Sequence, residues 1–206
     1  MNKKSYNNES DLPRQYTGKA LDYYQAVDCE TVGEAKDVFS RVRAKLFEVN
    51  QWHKMSEGPS AEFCIVDSAG EKQDRTVQKG DHIRINIPGP GLPSSEGYDW
   101  VQVEEIREEH VDPDYQKILL TLRPSPDPTN PLSDTAHFFK AVATSNFLVE
   151  RKGLQVFLHY AGRNELINTD NKSNLDNLRN FFIGLTAKMG ASFPQWKAVI
   201  DGLAKR

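Results

Sequence analysis

The spacing of apolar residues changes several times along this chain, and each change marks a new element. Residues 21–29 (LDYYQAVDC) alternate aromatic and branched residues with polar ones, the two-residue rhythm of a strand. The rhythm then lengthens. Val32, Ala35, Val38, Phe39, Val42 and Leu46 recur at three- and four-residue steps, with Lys36, Asp37, Ser40, Arg41, Arg43 and Lys45 elsewhere on the wheel. Thr31 and Glu34 stand at capping-box spacing before this amphipathic helix, which is predicted to reach about residue 49. Over residues 61–168 the helical period disappears and about six strand-like runs follow one another. They are 61–67, ended by the turn Ser68-Ala69-Gly70; 82–87, with Ile83, Ile85 and Ile87 on one face; 98–106; 114–123; and 135–151 with 154–167, a long hairpin closed by Lys152-Gly153. Helical spacing returns with Leu175, Leu178, Phe181, Phe182, Leu185 and Met189. Gly190 is a helix stop, Pro194 suits the first turn of a restart, and Trp196, Val199, Ile200 and Leu203 continue the stripe.

Strands in succession without intervening helices pair antiparallel, and a helix this apolar must lie on the sheet. The predicted fold class is therefore α+β, a curved antiparallel sheet of about seven strands wrapped on a long C-terminal helix. The length of 206 residues, with 38% hydrophobic residues, suits one domain over residues 19–206. Residues 1–18, polar and Asn-rich, are expected to form a flexible or loosely docked arm. Two Pro-rich stretches, 88–97 (PGPGLPSSEG) and 124–131 (PSPDPTNP), cannot donate to a ladder and read as loops, either stiff surface linkers or the rim of a cavity mouth. Charge removes one class of partner: 26 Lys+Arg against 29 Asp+Glu leaves a net −3 and no basic reservoir for nucleic acid. No apolar stretch is long enough to span a bilayer, and the first residues lack the apolar centre of a secretory signal, so a cytoplasmic location is expected. Cys29 and Cys64 read as buried thiols.

Val38-Phe39-Ser40-Arg41-Val42 through Val49-Asn50-Gln51-Trp52-His53, together with the element order and the C-terminal helix, resembles the START-like, or polyketide cyclase-like, helix-grip superfamily. The resemblance covers about residues 20–205 and is one of order, with the long Pro-rich loops and the break at Gly190 as departures. It implies a small or lipidic apolar ligand held between the curved sheet and the last helix. Some members are enzymes, but no catalytic residue is shared across the superfamily. A sheet curled against one helix independently leaves a concave space, filled either by side chains or by a ligand. Its expected lining is Trp100, Phe139, Phe181, Phe182, Leu185 and Met189, with Arg163 available for a charged head group. The same aromatics equally suit a filled core.

No HExxH, CxxC, Walker A or GxSxG pattern occurs, so no metal and no cofactor is expected. His137 and His159 lie on runs that pair as neighbouring strands, and Glu165 follows Arg163 at the end of an apolar strand; these three are the candidates for proton transfer. The competing reading of Arg163 and Glu165 is an internal pair tying the sheet to the C-terminal helix. Three functions remain open: binding of a small, largely apolar lipid-like or aromatic molecule in the sheet–helix cavity; a cyclase, dehydratase or hydrolase in that cavity; and a protein-interaction module with a filled core.

Overall fold

The computed structural model describes residues 9–55, 61–86, 98–130, 139–166 and 193–205. Among them are β1 (Lys19–Asp28), α1 (Val32–Phe47), a 3-10 turn (Val49–Met55), β2 (Glu62–Val66), β3 (His82–Asn86), β4 (Asp99–Asp112), β5 (Tyr115–Pro124), β6 (Thr144–Lys152), β7 (Gln155–Glu165) and α2 (Phe193–Ala204). All seven strands join one sheet in the order β1-β7-β6-β5-β4-β3-β2, every pairing antiparallel.

Each helix end follows from its residues. Thr31 caps α1 by accepting from the Glu34 amide at 3.1 Å, while the Glu34 carboxylate reaches back to the Glu30 amide at 2.8 Å. The helix stops at Phe47, two residues short of expectation, because the chain tightens into the 3-10 turn there. Trp52 in that turn donates its indole N–H to the carbonyls of Lys45 and Leu46, satisfying C-terminal groups that α1 itself leaves unpaired. Asn50 accepts from the Ile65 amide and donates to the Gln73 carbonyl, both at 2.8 Å, fastening the edge strand β2.

Curvature follows from a single contact set. β1 and β2 are the two edges of the sheet, and in a flat sheet of seven strands they would lie about 29 Å apart. Yet Trp196 of α2 lies 5.6 Å from Phe63 on β2 and 6.1 Å from Tyr160 on β7, and Asp201 of the same helix accepts from Tyr23 of β1 at 2.6 Å. The sheet must bend around α2. Trp52, Phe63, Phe147, Tyr160 and Trp196 meet at centroid separations of 5.2–6.3 Å and are all nearly inaccessible to water. Each such pair contributes roughly 0.5–1.5 kcal/mol beyond its buried area. Gly202 lets α2 settle on the 3-10 turn, since a Cβ there would stand 2.7 Å from the Met55 carbonyl oxygen.

Three boundaries differ from the sequence reading. β4 continues to Asp112 instead of stopping at 106, because the polar run after Ile106 still pairs with β5, with one register shift between His110 and Asp112, supported by the Arg43–Glu108 ion pair. β6 begins at Thr144 and not at 135: a turn at Lys140–Val142 interrupts the run, with the Ala143 amide bonded to the Lys140 carbonyl. Pro124, read as loop, closes β5 opposite Val101, a strand-end position where a missing N–H costs no ladder bond. Residues 88–97 and the stripe from Leu175 to Met189, with the break at Gly190, lie outside the described residues. Cys29 is a buried thiol as expected, whereas Cys64 is only half-buried.

Residues 9–18 lie against the sheet face opposite α2. Leu12 packs on Leu119, Leu148 and Ala161, and Asp11 pairs with Lys117 at 2.9 Å. Asn164, in the left-handed region at φ 55°, accepts from the Tyr16 and Thr17 amides and donates to the Arg14 carbonyl.

Trp196 joins the edge strand β2 to β7, the neighbour of the other edge, so Trp196→Ala is expected to lower stability by about 3–5 kcal/mol, with Trp196→Phe losing less. Urea unfolding with an unchanged m-value checks this.

Candidate functional site

Strand pleat sorts the candidate residues onto two faces. On β7, Val156, Leu158 and Tyr160 belong to the core under α2, so Phe157, His159, Ala161 and Arg163 stand on the outer face. On β4, Val101 and Val103 share the core face and Trp100 is outside. Arg163 and Trp100 therefore do not line a space under α2. Trp100 packs on Val66 beside Cys64 and Tyr98, and its indole N–H has no partner among the described residues. Phe139 is buried near the end of β7, where the following Lys140 amide bonds to the Leu166 carbonyl. His137, Phe181, Phe182, Leu185 and Met189 lie outside the described residues, and with them the proposed approach of His137 to His159.

The inner face is apolar over most of its area: Ile83, Ile85, Val101, Val103, Ile118, Leu120, Leu122, Phe147, Val149 and Leu158 are each at most 2% exposed. Beside the Tyr23 and Gln25 bonds to Asp201 on β1, a group of polar side chains gathers at one end. Antiparallel pairing brings the start of β4, the end of β5, the start of β6 and the end of β7 to that same end. There Ser145 and Tyr160 share a hydrogen bond of 3.1 Å, and the Tyr160 hydroxyl lies 3.5 Å from the Glu165 carboxylate. That carboxylate folds over Gly162, whose missing side chain makes room for it: any Cβ there would collide with Glu165 Oε1. Glu165 and Arg163, adjacent in sequence reasoning, are thus separated to opposite faces; Arg163 pairs with Asp22 instead, at 2.8 Å.

Asp99 was missed by sequence reasoning, although the alternation Asp99, Val101, Val103 carries the signal that it shares the core face. It sits opposite Ile85, 7% exposed, with no hydrogen-bond donor or cation reaching its carboxylate among the described residues. Burial alone raises its pKa to about 7. Asp22 is the second residue missed. It accepts from His159 at 2.7 Å and Arg163 at 2.8 Å; burial pushes its carboxyl up, and these two bonds outweigh that and hold it below its ordinary value. Among the described residues no three His, Cys, Asp or Glu side chains form a group suited to a metal ion.

No family model matches this chain, and no curated protein matches it. Solved structures do. Ara h 8.0201 aligns at 10% identity and a TM-score of 0.39, covering 90% of this chain and 98% of that one. Major latex-like protein 151 of Panax ginseng aligns at 14% identity and a TM-score of 0.39, covering 82% and 97%. A START superfamily protein of Mycobacterium smegmatis aligns at 10% identity and a TM-score of 0.36, covering 90% and 99%. No helix among the described residues is long and apolar enough to cross a membrane.

Asp99 imposes a pH dependence of known sign. Its folded pKa lies above the ordinary 3.8, so its contribution is full below about pH 4 and is lost as pH rises towards 7. The loss is on the order of 4 kcal/mol for a shift of this size. Urea unfolding from pH 4.5 to 8 is expected to show wild type losing stability relative to Asp99→Asn, with the difference levelling off above pH 7.

Proposed function

We propose that this protein binds a small, largely apolar molecule, lipid-like or aromatic, between the sheet and its C-terminal helix, at the polar end of the inner face. The observation that carries this reading is Asp99. A carboxylate on an apolar wall that no donor reaches among the described residues is costly to bury, and a bound molecule carrying a hydrogen-bond donor removes that cost. The Ser145–Tyr160–Glu165 chain supplies a second polar anchor two to three strands away, with apolar side chains between. A few polar groups on an otherwise apolar wall are the ordinary composition of a small-molecule site. Trp196 and its aromatic neighbours occupy the middle of the inner face beneath α2, so the ligand belongs beside them, towards Asp99 and Leu122.

A second reading, an enzyme of the cyclase, dehydratase or hydrolase kind, is favoured by one observation. An Asp that titrates near neutrality can both take and return a proton at working pH. Under that reading Asp99, in place of the sequence candidate His159, exchanges the proton, and Tyr160 orients a substrate oxygen.

Native mass spectrometry of the protein from its own host is expected to detect a bound organic molecule whose removal lowers Tm and whose return restores it. Asp99→Asn and Tyr160→Phe are each expected to weaken that binding about tenfold, the loss of roughly one polar contact. A chain that carries no such molecule, and whose Tm is unmoved by fatty acids or aromatic acids, overturns the reading. Conversion of the molecule by wild type but not by Asp99→Asn selects the enzyme.

A further inference from the structure

The outer face of β1, β6 and β7 carries a cleft of about 220 Å³, on the side of the sheet away from α2. Leu12 of the N-terminal segment forms one wall, Leu148 and Phe157 the floor, and Tyr24, 48% exposed, the opening. Tyr24 is stacked on His159 at 4.1 Å and 20°, so its ring is held in place without a ligand.

The charges in the cleft are unevenly committed. Arg163, the one Lys or Arg among its described lining residues, donates to the Gly162 and Leu21 carbonyls and to Asp22, and is 8% exposed. Both His159 and Arg163 direct their bonds to Oδ1 of Asp22, and Oδ2 receives none among the described residues. Asp22 keeps a third of its side chain accessible. Glu150 adds a second carboxylate to the lining, engaged at Oε1 by the Tyr115 hydroxyl and by the Lys152 ammonium at 3.4 Å. An unfilled acceptor on an ionised carboxylate, beside a fixed aromatic ring and above an apolar floor, matches one class of ligand. We propose that this cleft is a second binding site, specific for a small organic ammonium ion with an apolar or aromatic body, whose N–H donates to Asp22 Oδ2 while its carbon skeleton lies on Leu148 and Phe157. The site does not depend on the reading of the inner face, since the sheet separates the two.

The test is a titration of the ¹⁵N-labelled full chain with benzylammonium, and with benzyl alcohol and benzoate as neutral and anionic counterparts of similar shape. Benzylammonium is expected to give saturable amide shifts centred on Asp22, Tyr24, Ala26, Phe157 and His159, with benzyl alcohol at least tenfold weaker and benzoate without effect. Asp22→Asn is expected to weaken benzylammonium at least tenfold. Because Asp22→Asn also disturbs the His159 and Arg163 bonds, Ala26→Trp serves as the independent variant: Ala26 is exposed on β1 and lines the cleft four residues from Asp22, so an indole there takes up space in the cleft and leaves the Asp22 carboxylate in place. It is expected to abolish the shifts. Binding of benzoate or benzyl alcohol as tight as that of benzylammonium, shifts centred elsewhere, or unchanged binding in Ala26→Trp would overturn the proposal.

Discussion

The contact of Trp196 with both Phe63 and Tyr160 is the constraint on which the rest of this molecule depends. Phe63 belongs to one edge strand and Tyr160 to the neighbour of the other, so one side chain on α2 holds the sheet in its bent form. Bending has two results. It gives the sheet an inner face whose middle is dry and aromatic, and it leaves the outer face to be covered in part by residues 9–18 through Leu12 and Asn164. A flat sheet of the same strands would have neither an enclosed wall nor a distinct exterior.

Asp99 and Asp22 show how the two faces impose different chemistry on one residue type. Both are partly or wholly withdrawn from water, which disfavours the charged form. Asp99 has nothing among the described residues to compensate and is raised to about 7, whereas Asp22 has His159 and Arg163 and stays below its ordinary value. The inner carboxyl is accordingly suited to hold or exchange a proton, and the outer one to remain an anion. That contrast is why the inner face supports a reading as a site for largely apolar molecules and the outer cleft one for cations.

Much of the fold was legible because its signals are local. Thr31 and Glu34 announce the start of α1, and the stripe Trp196, Val199, Ile200 and Leu203 marks the buried side of α2 from its spacing alone. The strands of the meander follow from alternation, with errors where alternation is silent. The polar arm of β4 beyond Ile106 has no buried face to reveal it, and the run before Thr144 is interrupted by a turn that carries neither Gly nor Pro. The candidate site was harder. Arg163 and Glu165 read as one cluster at the strand end, but a strand of period two sends Arg163 outward, and the left-handed Asn164 lets Glu165 fold back over Gly162 on the inner side.

What the sequence by itself determined is therefore the α+β class, the order of its elements and which residues of each strand share a face. These properties arise from side chains a few positions apart, whose periodicity is set by backbone geometry. The tertiary structure alone decided which residues become partners. Asp22 meets Arg163 across 141 positions, Tyr23 meets Asp201 across 178, and Asp99 meets no donor at all among the described residues. Strand pairing and sheet curvature bring such groups together or keep them apart. The pKa values and the two proposed sites follow from that long-range placement, which no local pattern encodes.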